Sequence, residues 1–350
     1  MSTNNPFPSR LRQARLLAKL SLRELSEKSG SIVSYNSIKK YEDGKMMPDE
    51  SVITGLAQAL NVGPDYFFKA MNVELSKVEF RKRANLSVKD LNSIKEQIRS
   101  HLERYLEIEN ILRIENNFYN PISDMLVQDT ESVENIVLHL LREWHLGYNP
   151  IPNVIEMLEE KGVKIIEIDA PEAFDGLAAF ADHTPVIVLN KNFLPERKRF
   201  TALHELGHIL LKIPRQLDSK VVESICHRFA SAMLIPKPVM INLIGFKRST
   251  ITIAELITIK ENYGISLQAI VRRCKDLSII TEYAYKAFFI SISKNRKEEG
   301  LGKYKGQERT FRFTQLLYRI AAEELVTIGK AAALGEMKTI ELKRILDRIL

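Results

Sequence analysis

The residues with the clearest chemical potential stand in one run, Thr201-Ala202-Leu203-His204-Glu205-Leu206-Gly207-His208-Ile209-Leu210-Leu211. Residues four apart on a helix share a face, so the imidazoles of His204 and His208 point to one side and can hold one zinc ion. Glu205, beside the first histidine, is then placed to take a proton from water on the metal, whose pKa zinc lowers towards about 7 while it polarises a scissile carbonyl. Glu205 is the expected general base of a hydrolysis. A catalytic zinc takes three protein ligands and keeps one position open, so a third donor must come from elsewhere in the chain. Glu223 is the candidate. It opens Glu223-Ser224-Ile225-Cys226-His227-Arg228-Phe229-Ala230, a helical stretch in which Glu223 and His227 share a face. Cys226, three residues past Glu223, falls beside such a ligand and not in the open position. His227 is expected either to orient an imidazole or to donate to the transition state. His145 and His183 read as ordinary helix and loop histidines.

These side chains need elements to hold them. From Val154 the pattern is a helix, Gly162, and then a β-rich run over 163–168. Two further strands follow, Gly176–Ala181 and 185–189, joined through Asp182-His183-Thr184, before a helix that starts near Pro195. This predicts a small sheet packed on helices. The small residues of Gly176–Ala181 suit an edge strand beside the metal, to which an extended substrate segment could add by backbone pairing. Residues 252–280 read as helices that complete the core.

Residues 154–280 resemble the ImmA/IrrE family of metallopeptidases. The resemblance rests on Gly176-Leu177-Ala178, Val188 with Asn190, Arg199-Phe200-Thr201, the run His204 to His208, Glu223, Phe229-Ala230 and Leu234-Ile235-Pro236. It implies a gluzincin-like core with Zn2+ as cofactor, Glu223 as third ligand beside His204 and His208, and hydrolysis of a peptide bond in a narrow protein substrate. In the family such a substrate is typically a repressor or a component of a toxin–antitoxin locus. The chain departs from the family in having His227 where asparagine or aspartate is usual, and Cys226 where alanine is usual.

Near the N-terminus, Ser21-Leu22-Arg23-Glu24 forms a capping box, with Leu20 and Leu25 at the staple positions and Gly30 closing a short helix. Ser34 is a suitable N-cap for a second short helix, Tyr35 to Glu42. Ile38 and Tyr41 face its core, which turns Tyr35, Asn36, Ser37, Lys39 and Lys40 outward with donors suited to bases and phosphates. Arg12, Arg15 and Arg23 join them as candidate DNA contacts. Residues 9–69 resemble the XRE, or lambda-repressor-like, helix-turn-helix family. That match is carried by Arg10-Leu11-Arg12 with Ala14-Arg15, Ser21 with Glu24-Leu25, Ile38 with Tyr41-Glu42 and Gly44, Pro48, and Leu56-Ala57 with Ala59-Leu60. The connection Gly30-Ser31-Ile32-Val33-Ser34 is two residues longer than the commonest pattern. The resemblance implies duplex DNA as a partner and a homodimer.

Between the two domains, Leu91, Ile94, Ile98, Leu102, Tyr105, Leu106, Ile108 and Leu112 predict one long helix over 74–118, whose basic start at Lys77 and Arg81-Lys82-Arg83 reads as a solvated face. A helix over about 133–146 places Trp144 in a core. The charged, glycine-bearing stretch 294–306 reads as a mobile loop or linker, and 311–324 and 325–350 as amphipathic helices. Within them, Glu324 to Ala332 hints at another small helical turn motif with no chemistry assigned. The expected fold class is mainly α with a small β-sheet (α+β). An all-α helix-turn-helix domain over 9–70 is followed by a helical linker region over 74–150, a gluzincin-like metallopeptidase domain over 151–285, and a linker and helical C-terminal extension over 286–350.

Composition agrees with that reading. Of 350 residues 45% are hydrophobic and 27% charged, and no apolar run approaches the ~20 residues that span a bilayer. The two cysteines, Cys226 and Cys274, are too few for a disulfide framework, and the first residues lack a secretory pattern, so a cytoplasmic protein with no membrane partner is expected. The net charge of +7 is uneven: Lys/Arg against Asp/Glu number 10 to 7 over residues 1–70, 20 to 25 over 71–236, and 21 to 12 over 237–350. Basic ends around an acidic middle suit a polyanionic partner. The expected protein is a DNA-binding regulator whose zinc peptidase cuts one partner protein. The alternative is a non-catalytic repressor or antitoxin that uses the metallopeptidase fold as a sensor or binding module.

Overall fold

The computed structural model describes residues 5–69, 75–76, 87–115 and 118–347. The chain divides into two compact units, one drawn from residues 1–75, 82–114 and 316–350, the other from 76–81 and 115–315.

In the first unit, α1 (Phe7–Leu17), α2 (Leu22–Lys28), α3 (Tyr35–Glu42) and α4 (Glu50–Leu60) close with a 3-10 turn over Pro64–Phe68. Phe7, Leu11, Leu25, Ile38, Leu56 and Phe67 form the fully buried centre of their core. Both halves of the capping box are made: Glu24 N donates to Ser21 Oγ at 3.2 Å and Ser21 N donates to Glu24 Oε2 at 2.6 Å. Gly30 (φ +71°) and Ser31 (φ +58°) turn the chain in the left-handed region between α2 and α3. The next helix, α5 (Val88–Leu112), starts where Ser87 caps it, later than the apolar periodicity predicts. Leu75–Ser76 is instead a two-residue strand, β1, and the basic residues Lys77 and Arg81 to Arg83 lie outside the described residues. α5 packs on α1, where Arg10 pairs with Glu103 at 2.7 Å and both are largely buried.

The second unit carries α6 (Ser132–Glu143), α7 (Val154–Glu160), β2 (Lys164–Ile168), β3 (Gly176–Ala181), β4 (Thr184–Asn190), α8 (Pro195–Leu210), α9 (Ser219–Leu234), α10 (Lys237–Ile244), α11 (Ile253–Tyr263), α12 (Leu267–Asp276) and α13 (Glu282–Ser291). β4 pairs parallel with β2 and antiparallel with β3, and the sheet order is β1-β3-β4-β2. β3 therefore has β1 as a two-residue outer neighbour, where the sequence pattern predicts an open edge. Val186, Ile187, Val188 and Leu189 are fully buried, as a strand paired on both sides and covered by helices requires. Trp144 sits in the same core. The architecture is α+β, as the patterning predicts.

A buried charge cluster ties three helices of this unit together. Glu134 of α6 accepts from Arg228 of α9 at 2.5 Å and from Arg273 of α12 at 2.9 and 3.0 Å. Burial pushes the Glu134 carboxyl up, but the hydrogen bonds and charges of Arg273 and Arg228 outweigh it and hold it below the usual range.

Residues 294–311, of which 294–306 are expected to be a mobile loop or linker, form a strap without regular elements that is fastened at two buried glutamates. Glu298 pairs with Lys260 at 2.8 Å and accepts from the amides of Leu267 and Gln268 at the start of α12. Glu308 pairs with Arg199 of α8 at 2.7 Å and accepts from the Ile155 amide at 2.6 Å, on the first turn of α7. After the strap come α14 (Arg312–Ala322), α15 (Ile328–Leu334) and α16 (Thr339–Leu346). α15 belongs to the first unit and meets α5 there: Lys330 pairs with Glu107 at 2.5 Å, and Arg104 donates to the Leu334 carbonyl at 3.1 Å.

Candidate metal centre and nucleic-acid interface

α8 is the element that positions the candidate ligands His204 and His208. Pro195 begins it, and its second half runs through the core, with Leu203 and Leu206 fully buried. His204 is 4% exposed and Glu205 8% exposed. α9 returns alongside α8, capped by Asp218. The close approach of the two helices is made at Gly207, where a Cβ would stand 3.3 Å from Phe229 Cδ1 and 3.4 Å from Cys226 Sγ. This explains why a glycine sits inside the His204–His208 turn.

The approach brings Glu223 to the histidines. His204 Nε2 lies 3.1 Å from His208 Nε2 and 3.1 Å from a Glu223 carboxylate oxygen, and His208 Nε2 is 3.9 Å from the other oxygen. One ligand atom from each of the three residues falls within 4.8 Å of the others. Zinc bonds of about 2.0–2.2 Å at tetrahedral angles separate donor atoms by roughly 3.3 Å, so two imidazole nitrogens and a carboxylate at these spacings fit that ion. The donor types are also those of an open catalytic site.

His227, the other residue expected to take part in catalysis, is exposed on α9. Its ring stacks on Phe200 (centroids 5.9 Å, 27°) and lies 4.4 Å from the His204 ring. Phe200, which orients it, was legible only as part of the Arg199-Phe200-Thr201 run. Cys226 Sγ is 2.9 Å from His208 Nδ1. Cys226 thus contacts the ring edge away from the cluster, and a metal held at Nε2 would leave Nδ1 to carry the proton and donate it in a hydrogen bond to the sulfur.

On α3, Tyr35, Asn36, Lys39 and Lys40 are exposed opposite the buried Ile38 and Tyr41. The Arg23 guanidinium lies over the Tyr35 ring at 5.2 Å, Ser37 is half-buried with its Oγ 3.0 Å from Ser34 Oγ, and Arg12 is exposed on α1. Arg15 is placed differently from expectation. It is 9% exposed, its Nε and Nη2 are bound by the Glu42 carboxylate at 2.6 and 2.7 Å, and Nη1 donates to the Leu20 carbonyl. A guanidinium used on both edges to clamp α1 to α3 is not free to meet a phosphate.

Residues 11–67 match the helix-turn-helix family, and residues 158–275 match the IrrE N-terminal-like domain. Among curated proteins, the radiation response metalloprotease IrrE of Deinococcus radiodurans is 35% identical over 78 residues, which is 19% of this chain and 24% of that protein. The match thus spans about a quarter of the relative's length. Among the described residues no helix is long and apolar enough to cross a membrane. The chain therefore joins an XRE-type helix-turn-helix domain to an IrrE/ImmA-type metallopeptidase domain.

Proposed function

We propose that the protein is a cytoplasmic transcriptional regulator that binds duplex DNA as a homodimer and hydrolyses one peptide bond in a specific partner protein. The observation that carries the hydrolytic half is the convergence of His204, His208 and Glu223 within 4.8 Å, with Glu205 beside the first ligand. His204, His208 and Glu223 would hold Zn2+ in a gluzincin-like set. A bound zinc ion would supply a Lewis acid that polarises the scissile carbonyl and makes water acidic enough to be activated near neutral pH. Glu205 takes the proton of the attacking water and passes it to the leaving amine as the C–N bond breaks. His227, exposed and steadied by Phe200, donates to the carbonyl oxygen as it gains charge.

The DNA half rests on the outward side chains of the helix-turn-helix domain: Arg12, Arg23, Tyr35, Asn36, Ser37, Lys39 and Lys40. Lysines and arginines would position the domain on phosphates, and the side chains of α3 would read base edges. The substrate is proposed to be a genomically linked regulator, such as a repressor or toxin–antitoxin component.

The test is incubation of the full-length protein and its genomically linked partner with zinc, followed by fragment mapping by mass spectrometry. The wild type should cut the partner at one flexible segment and leave casein intact. Glu205→Gln should retain about one zinc per chain and lose hydrolysis by roughly 100-fold or more, whereas Glu223→Gln should lose zinc. A partner left intact under every condition, DNA included, would sink the peptidase reading. Metal loss confined to Glu205→Gln would reverse the two roles.

A further inference from the structure

The three C-terminal helices repeat the plan of the first three. α1 and α14 are each 11 residues long, α2 and α15 each 7, and α3 and α16 each 8. A residue with positive φ lies between the first two helices in both sets, Lys19 (φ +54°) and Glu324 (φ +52°), and another in each second turn, Ser31 (φ +58°) and Glu336 (φ +52°). Ser21 and Thr327 cap the second helices in the same way, each hydroxyl accepting from the amide three residues on. The second turn is six residues in the N-terminal set, 29–34, and four in the C-terminal set, 335–338. The C-terminal copy thus lacks the two extra residues that set the N-terminal motif apart from the commonest helix-turn-helix pattern.

The side chains correspond as well. Aligned on their caps, Leu11, Ala14 and Leu25 fall on Leu317, Ile320 and Ala331, and all six are buried. Aligned on the third helices, Ile38 falls on Leu342, both fully buried. The two exposed cations that follow, Lys39-Lys40, fall on the exposed pair Lys343-Arg344. Gly335 opens the tight turn because a Cβ there would stand 2.6 Å from Leu317 Cδ2 of α14. Where Lys39 is tied to Asp43 at 2.8 Å, Lys343 and Arg344 have no ion-pair partner among the described residues. Ile340, Glu341, Lys343 and Arg344 form the outward face of α16.

We infer that α14–α16 are a second helix-turn-helix module, which contacts duplex DNA through α16 with Lys343 and Arg344 on phosphates. This adds a DNA surface beyond the N-terminal domain. From Leu316 on, the C-terminal module belongs to the same compact unit as the N-terminal one, with α5 packed on α1 and bonded to α15, so one chain would engage DNA at two places. Ile340 stands where Asn36 stands in α3, and its exposed apolar side chain suits contact with a thymine methyl group.

The experiment uses the full-length protein and a duplex that it selects from a random pool, with affinity read against salt and with hydroxyl-radical footprints. Lys343→Ala with Arg344→Ala should lower the slope of log affinity against log salt by about 2, since each lost phosphate contact removes about 0.9. Protection should disappear from one end of the footprint, while melting temperature and oligomeric mass stay unchanged. Lys39→Ala with Lys40→Ala should remove a different part of the protection. An unchanged slope and footprint for the α16 variant would overturn the inference and leave the N-terminal assignment standing. An α16 variant whose only change is a smaller oligomer would also overturn it, assigning α16 to contact with a second copy. If instead the α3 variant bound normally and the α16 variant did not, the proposed role of α3 would fail and α16 would carry the DNA contact.

Discussion

Glu159, on α7, is buried with Oε1 lacking a hydrogen-bond partner among the described residues, and burial pushes its pKa up to about 7. In the unfolded chain the same carboxyl titrates near 4.5. A raised folded value means that native protein holds its proton longer, so stability is complete below pH 4.5, falls as pH rises and is lowest above pH 7. Glu159→Gln should therefore raise the melting temperature at pH 8 and change little at pH 4, with a difference on the order of 3 kcal/mol at the upper end. Glu134 acts in the opposite sense. Held below the usual range by Arg273 and Arg228, it contributes stability above its unfolded value that is lost as pH falls through the folded one. Acid titration of Glu134→Gln should accordingly lack part of the wild-type loss below about pH 4.5. At this scale the candidate metal cluster is readable in sequence because one helical turn carries both histidines. Arg15 was misread because its partner, Glu42, lies a helix-turn-helix away, and a single chain gives no sign of that pairing.

The elements that present the ligands depend on close approaches. A Cβ at Gly176 would meet Thr201 Cγ2 at 2.7 Å and the Val188 carbonyl oxygen at 2.8 Å, so β3 and α8 would have to separate. Gly176→Ala should cost about 1–3 kcal/mol in chemical denaturation. It should also weaken zinc retention, because Thr201 lies one turn before His204 on α8. The buried pair Lys260–Glu298 makes a comparable demand on the strap. Glu298→Ala strands a buried ammonium and removes the acceptor of the Leu267 and Gln268 amides at the start of α12, and should cost roughly 3–5 kcal/mol. The Ser21–Glu24 capping box, the strand pattern and the start of α8 are legible in the sequence because their signals are local. The strap was not: its glycines and charges suggest mobility, and the groups that fasten it, Lys260, Leu267, Arg199 and Ile155, come from distant parts of the chain.

For the whole molecule, the sequence pattern placed a helix-turn-helix region and a peptidase region in the right order, but treated α5 as linker and the last helices as an appendix. Long-range contacts decide otherwise, since Glu103 is held by Arg10 and Glu107 by Lys330. Removal of residues 316–350 should leave zinc stoichiometry intact while lowering the melting transition of the unit that contains α1 to α5. Two-transition calorimetry would read this, and an unaltered lower transition would contradict it. The chain leaves that unit after α5, builds most of the other over residues 115–315, and then returns. The peptidase unit is in this sense an insertion into the DNA-binding unit. On a ribosome, the groups that answer Arg104 and Glu107 emerge only after residues 115–315 have been translated, so the second unit can fold while the first still lacks its last helices. The order of synthesis thus leaves α5 without its C-terminal partners until residues 115–315 have been made.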